Sequence, residues 1–80
     1  MSNYEKYLSV FTRSFGVSEE EAKALKYQDI EAWDSVGHMS LISELEEAFD
    51  IDMDADDIID LESFEKGIEI LSKDEYGVKF

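Results

Sequence analysis

The sequence predicts an all-α fold: a small antiparallel four-helix bundle with three longer helices and one short helix. Two observations lead to this prediction. Apolar residues recur at helical spacing in three stretches of the chain, and no stretch has the alternation of a convincing strand. The 80 residues are enough for a single domain, and the absence of cysteine means that aliphatic and aromatic side chains must form its core without disulfides.

The first predicted helix runs from residue 3 to residue 15. Its apolar face is formed by Tyr4, Tyr7, Leu8, Phe11 and Phe15. Gly16 supplies the stop, because glycine readily adopts the left-handed backbone conformation found at helix ends. Ser18 followed by Glu21 fits a capping box, so we expect a short helical turn from there through Leu25.

Residues 26–33 are predicted to form an ordered loop. The side chains that pin it to the core are Tyr27, Ile30 and Trp33. A second helix follows over residues 35–49, and Asp34 and Ser35 suit its start because their side-chain oxygens accept hydrogen bonds from unpaired backbone N–H groups. The apolar stripe of this helix comprises Met39, Leu41, Ile42, Leu45, Ala48 and Phe49. Val36 falls near its polar side, beside the serine, which is compatible with an exposed contact surface.

The rest of the chain predicts two further helices. Residues 56–60 fit a single turn that places Ile58 or Ile59 against the core, and Ser63 suits the start of a last helix through Ser72. The inward residues of that helix are Phe64, Ile68 and Leu71, with Ile70 less clearly placed. Residues 73–80 are predicted to be a flexible tail of the single domain 1–80, with docking of Tyr76, Val78 and Phe80 as the alternative.

Acidic residues dominate the charge. The net charge is −14, and the segment 34–62 contains eleven acidic residues and no Lys or Arg. Such a surface excludes a protein that tracks nucleic-acid phosphates and disfavours anionic membranes, and it predicts basic partners. The alternative is a solvated acidic surface that only keeps the protein soluble. No apolar run is long enough to span a membrane, and the first residues lack a signal-peptide pattern, so we expect a cytoplasmic monomer.

The sequence contains partial matches to two kinds of functional site, a serine hydrolase motif and a calcium-binding loop. The run from Trp33 to Gly37 is one glycine short of G-x-S-x-G, but that motif requires a strand before the serine, and none is predicted here. The single histidine, His38, is interpreted as a helix residue near the edge of the bundle, and no intrinsic catalysis is expected. Asp50, Asp52 and Asp54 match the first carboxylates of an EF-hand. Ala55 and Leu61 then occupy the positions that require Gly and Glu, so the motif fails.

The run Asp34-Ser35-Val36, with Leu41-Ile42, Leu45-Glu46-Glu47 and Phe49-Asp50-Ile51 after it, resembles the phosphopantetheine attachment region of acyl carrier proteins. This family includes the peptidyl carrier domains of nonribosomal synthetases. The likeness extends over nearly the whole chain and implies a stand-alone acyl or peptidyl carrier rather than an enzyme, with the acyl-carrier fold.

The resemblance implies a 4'-phosphopantetheine arm on Ser35, attached from coenzyme A by a phosphopantetheinyl transferase. The thiol of that arm would carry acyl or aminoacyl groups as thioesters. Partner recognition would fall to Asp34, Val36, Glu46 and Glu47, which would meet basic docking surfaces on acyl- or aminoacyl-loading and processing enzymes. The alternative function is an acidic divalent-cation-binding interaction module without a covalent cofactor.

Some positions depart from the fatty-acid type of carrier. Gly37 and Ser40 stand where acids are often found, Trp33 precedes the Asp-Ser pair, and Asp54 replaces a frequent proline. These differences favour a dedicated carrier in a specialised biosynthetic pathway. The interior is rich in aromatic rings (Phe11, Phe15, Phe49 and Phe64), so we expect little room for a long acyl chain.

Overall fold

Five helices form the regular secondary structure of residues 2–80, the part of the chain that the computed structural model describes. In chain order they are α1 (Asn3–Phe15), α2 (Glu19–Lys23), α3 (Ser35–Phe49), α4 (Ala55–Asp60) and α5 (Phe64–Leu71). No strand occurs within these residues, so the all-α fold class is confirmed. The helix count differs from the prediction because the turn expected at residues 18–25 is a helix of its own, which ends at Lys23.

Serine residues cap the N-termini of three of the helices. Ser2 and Ser18 each form a capping box, in which the hydroxyl accepts from the amide three residues later and the glutamate there accepts from the serine amide. Ser63 accepts from the amide of Lys66 at 3.0 Å. At the other end of α1, Gly16 has a left-handed φ of 64°, and its amide bonds to the carbonyl of Thr12. The sequence had indicated the caps at Ser18, Ser63 and Gly16 but not the one at Ser2.

Aromatic rings from α1, the loop and α5 form the centre of the core. The Phe11 ring lies 5.6 Å from Trp33 and 5.0 Å from Phe64, and Phe15 stacks on Trp33 at 5.1 Å. Tyr7 is fully buried, and its hydroxyl donates to the carbonyl of Phe64 at 2.7 Å. These side-chain contacts tie α5 and the loop to α1, and α1 also packs against α3 and α2.

Several burial predictions require correction. Val10 is buried, although it was not assigned to the core. Ile70, whose placement the spacing left less clear, is buried, and Ile68 is only partly buried. Met39, expected in the stripe of α3, is 51% exposed. Of the two candidates in α4, Ile58 packs against the core and Ile59 is 71% exposed. The helical spacing of apolar residues therefore predicted most of the buried residues. It did not show which residues of each apolar face a neighbouring helix covers.

The segment after α5 packs against the rest of the molecule. Val78 is buried, and its amide donates to the carbonyl of Leu71 at 3.0 Å. Tyr76 donates its hydroxyl proton to the Asp57 carboxylate at 2.6 Å, and the Phe80 ring lies 5.5 Å from that of Tyr7. These contacts favour docking of residues 73–80, the alternative considered above, over a flexible tail.

The loop 26–33 is fixed at its start by backbone hydrogen bonds and at its end by the burial of Trp33. The amide of Tyr27 donates to Glu62 at 2.7 Å, and that of Phe64 donates to Leu25 at 3.0 Å, which joins the start of the loop to the start of α5. Near its end, Trp33 is fully buried and its amide bonds to the carbonyl of Ile30. The loop thus delivers the chain to α3 in a fixed position. No helix within residues 2–80 combines the length and apolar character that crossing a membrane requires.

Candidate functional site

Ser35 is the first residue of α3, and Asp34 is its cap. The Asp34 carboxylate accepts a hydrogen bond from the amide of Gly37 at 2.8 Å, while the Asp34 carbonyl accepts from the amide of His38 at 2.8 Å. Both Asp34 and Ser35 had suited the capping role, and the structure assigns it to Asp34. The Ser35 hydroxyl is therefore not used as a cap and belongs to an exposed residue at the positive end of the helix.

Gly37 allows the loop to approach the first turn of α3 closely. A Cβ atom at this position would collide with the backbone carbonyl oxygen of Ala32. The contact involves backbone rather than a mobile side chain, so it has no easy relief. The absence of a side chain at Gly37 thus sets how closely the loop packs against the serine end of α3.

His38 joins the loop, α3 and α4 through both ring nitrogens. Its Nδ1 accepts from the indole Nε1 of Trp33 at 2.9 Å, so Nε2 carries the proton and donates to the carbonyl of Ile58 at 2.6 Å. The imidazole ring of His38 and the indole ring of Trp33 stack with centroids 6.2 Å apart. His38 lies one helical turn after Ser35, but its nitrogens are engaged by Trp33 and Ile58 and are not directed at the serine.

Tyr27 lies on the other side of the serine. Its hydroxyl oxygen is 3.4 Å from the Ser35 Oγ, and its ring packs edge-on against Trp33 at 6.2 Å and against His38 at 5.6 Å. Nothing in the sequence paired residue 27 with residue 35. The bend of the loop brings them together, and the sequence had indicated only that Tyr27 helps to pin that loop.

Exposed apolar side chains surround Ser35. Val36 is 77% exposed, and Met39 and Ile59 are more than half exposed. Between α3 and α4 an open groove of about 430 Å³ begins at Ser35 and continues past Met39 to Ile59. Exposed apolar side chains that lie together on a surface are a feature of contact surfaces.

The predicted recognition residues have different environments. Asp34 and Glu47 are exposed, although the Asp34 carboxylate also caps α3. Glu46 is half-buried, and its carboxylate accepts from the amide of Met53 at 2.9 Å, which holds the connection between α3 and α4. The Glu46 side chain thus has an intramolecular role, and Glu47 is the freer of the two acids.

One cluster of three carboxylate side chains resembles a cation-binding site more than the other acidic residues do. Asp54, Asp57 and Glu75 each place an oxygen within 4.8 Å of the others. Asp57 is buried, however, and already accepts from Lys73 Nζ at 2.6 Å and from the Tyr76 hydroxyl at 2.6 Å. Those two hydrogen bonds lower the pKa of the Asp57 carboxyl, and a hydrogen bond with Asp54 raises the pKa of Glu75.

The sequence had not singled out Asp57, because an acid inside an acidic run is expected to face water. Its partners, Lys73 and Tyr76, lie beyond α5 in the segment predicted as a tail. The EF-hand-like run is not assembled either, since Asp54 belongs to the group while Asp50 and Asp52 do not.

Comparison with protein-family models, with curated proteins and with solved structures found no significant match to this chain. The features that bear on function are therefore the geometry around Ser35 and the sequence pattern of α3. In that geometry the loop and α4 converge on one end of α3, where an exposed hydroxyl lies among a tyrosine, a groove and an apolar patch.

Proposed function

We propose that this protein is a carrier of the acyl carrier type, in which Ser35 bears a 4'-phosphopantetheine arm. The arm supplies a thiol that holds acyl or aminoacyl groups as thioesters. The observation that carries the proposal is the Ser35 hydroxyl, exposed at the start of a long helix and left free by the cap at Asp34. The departures at Trp33 and Gly37 favour a carrier dedicated to a specialised pathway.

The surroundings of Ser35 fit such an arm. A phosphodiester is anionic, and the N-terminal end of a 15-residue helix favours negative charge through its dipole and its first amides. The groove beside Ser35 is open, so an attached arm would leave toward solvent or along α4 without displacing the core. In the attachment step Ser35 Oγ gains a bond to the phosphorus of the pantetheine arm and the pyrophosphate bond of coenzyme A breaks. Adenosine 3',5'-bisphosphate leaves, and the transferase takes the serine proton.

We also propose that the helices form an antiparallel bundle of the acyl-carrier type, with α2 as an additional short helix. The packing of α1 on α3 and the contacts of Tyr7 and Phe11 with Phe64 of α5 support this arrangement. The aromatic rings fill the space between these helices. We therefore propose that the cargo is short or stays outside the core.

Partner enzymes are proposed to dock on the serine end of α3. The apolar patch formed by Val36, Met39 and Ile59 supplies area to bury, and the acids of residues 34–62 supply charge that no Lys or Arg in that segment offsets. A matching partner surface would be basic with an apolar centre. Charge of this kind raises association rates and selects partners, and salt screens it.

The carrier proposal predicts a mass change that depends on one oxygen atom. Incubation with coenzyme A, magnesium and a broad-specificity phosphopantetheinyl transferase is expected to add one arm to the wild-type chain and none to Ser35→Ala. Intact-mass spectrometry measures both results. Ser43→Ala on the exposed face of α3 is the matched control and is expected to gain the arm at the wild-type rate.

The alternative, an acidic divalent-cation-binding module, is favoured by the group of Asp54, Asp57 and Glu75. Lys73 argues against it, because its ammonium already neutralises the buried carboxylate at 2.6 Å. A cation module would bind calcium saturably at a fixed stoichiometry and gain no mass in the transferase assay. Saturable calcium binding together with no gain in mass would contradict the carrier proposal and support the cation-binding module.

Glu47 is predicted to contribute to partner docking, and its neighbour Glu46 to the stability of the fold. Glu47→Gln is expected to lower kcat/KM of the transferase several-fold at low salt, with the difference shrinking at high salt, and to leave the melting temperature unchanged.

Glu46→Ala is expected to lower the free energy of unfolding by about 1–2 kcal/mol, because the Met53 amide loses its acceptor.

Glu19→Gln on α2 is the control for Glu47, since it removes the same charge from an exposed position outside the serine helix. If Glu19→Gln slows the transferase as much as Glu47→Gln does, only net charge matters and a docking role for α3 is contradicted. Equal stability of Glu46→Ala and wild type would contradict the structural role of Glu46.

A further inference from the structure

The Tyr27 side chain is held so that its hydroxyl lies beside Ser35. Its backbone amide bonds to Glu62 at 2.7 Å, and its ring makes T-shaped contacts with the rings of Trp33 and His38. Trp33 is fully buried and His38 is bonded at both ring nitrogens, so the tyrosine packs against side chains that are themselves fixed. The position of its hydroxyl is therefore set by the fold.

In the unmodified chain this hydroxyl makes no strong hydrogen bond. Its distance to Ser35 Oγ is 3.4 Å, beyond the 2.5–3.0 Å typical of hydroxyl hydrogen bonds, and no other partner for it lies within residues 2–80. The contact is exposed, so the hydroxyl is open to solvent and can donate to an acceptor atom attached at Ser35. The Ser35 oxygen that it faces is the one that the carrier proposal modifies.

A phosphate group on Ser35 would change this contact. The phosphorus would be bonded to Oγ and its non-bridging oxygens would lie two bonds from Oγ, so that an anionic acceptor could come within reach of the Tyr27 proton. Hydrogen bonds to ionised acceptors are shorter and about twice as strong as neutral ones. The segment 34–62 has no Lys or Arg, and of the first amides of α3 those of Gly37 and His38 are already bonded to Asp34.

We propose that Tyr27 is a positioning residue for the modified serine, an inference that rests on the carrier function proposed above. Its hydroxyl donates a hydrogen bond to a non-bridging phosphodiester oxygen on Ser35 and holds the start of the arm on the α4 side of α3. That side carries the groove past Met39 to Ile59. Tyr27 thereby determines the direction in which the arm leaves the helix.

Tyr27→Phe tests this inference because it removes only the hydroxyl and keeps the ring that packs against Trp33. Tyr4→Phe is the matched control: it removes the same group from a partly buried ring of α1 that packs against Phe64. Both variants and the wild type are to be loaded with the arm, and the phosphorus NMR resonance of the phosphodiester is to be measured. Amide spectra of the unloaded proteins report whether the fold has changed.

The expected result is a displaced phosphorus resonance in Tyr27→Phe and an unchanged one in Tyr4→Phe, with all unloaded proteins alike in their α3 amide signals. A phosphorus resonance identical in all three loaded proteins would overturn the role of Tyr27 while leaving the carrier function intact. A displacement accompanied by altered α3 amides in the unloaded Tyr27→Phe would assign the effect to packing and would also overturn it. Failure of the wild type itself to gain the arm would contradict the carrier function first.

Discussion

Trp33→Ala is expected to lower the free energy of unfolding by about 3–5 kcal/mol, the usual cost of removing a large buried aromatic side chain. The indole is fully buried, stacks on Phe15 at 5.1 Å and lies 5.6 Å from Phe11. Its N–H also donates to His38 Nδ1, which would lose its donor. Since domains of this size have total stabilities of about 4–12 kcal/mol, the variant would lose a large fraction of its folded population.

Chemical denaturation measures this loss, and two variants bracket it. Trp33→Phe keeps an aromatic ring in the site but removes the indole N–H, so an intermediate cost is expected. Phe80→Ala removes an aromatic side chain that is 42% exposed, and a cost of no more than about 1 kcal/mol is expected. A loss below 1 kcal/mol for Trp33→Ala would contradict the assignment of Trp33 as the anchor of the loop that leads to Ser35.

Gly37→Ala is expected to destabilise the protein by about 1–3 kcal/mol, although alanine usually stabilises a helix by up to about 1 kcal/mol relative to glycine. The expected effect on stability is the opposite of the usual one because the added Cβ would collide with the carbonyl oxygen of Ala32. Relief of that collision requires the loop and the first turn of α3 to separate. Ser35 would then move with the turn, so the rate of arm attachment is expected to fall as well.

Ser43→Ala is again the control, because it lies on the exposed face of α3 and an effect within about 0.5 kcal/mol is expected there. Melting curves compare the stability of both variants, and mass spectrometry at early times compares their loading rates. A Gly37→Ala variant more stable than wild type would show that the loop does not press against α3 as described.

The bounds of α1 and α3 were predictable because local signals agreed with one another. Helical spacing of apolar residues, a capping residue at the start of α3 and Gly16 after α1 indicated the same ends that the structure has. Burial was less predictable, since it depends on which neighbour covers each face. Met39 shares the apolar side of α3, yet the neighbouring α4 leaves it half exposed beside a groove.

The sequence indicated the serine of the candidate site but not its surroundings. Ser35 was indicated by the resemblance to the carrier attachment region, since residue type alone made Asp34 and Ser35 equally suited to cap the helix. The choice of Asp34 as the cap depends on side-chain rotamers that no pattern specifies. Tyr27 reaches Ser35 only through the bend of the loop. Contacts between residues far apart in the chain, such as Lys73 with Asp57, leave no periodic signal.

The location of the attached arm tests the central claim most directly. Proteolysis of the loaded protein followed by tandem mass spectrometry distinguishes Ser35 from Ser40 and Ser43, which lie on the same helix and are also exposed. We predict one phosphodiester, on Ser35, in every loaded molecule. An arm on either of the other serines, or a chain that never gains one under conditions that load a known carrier, would contradict the account.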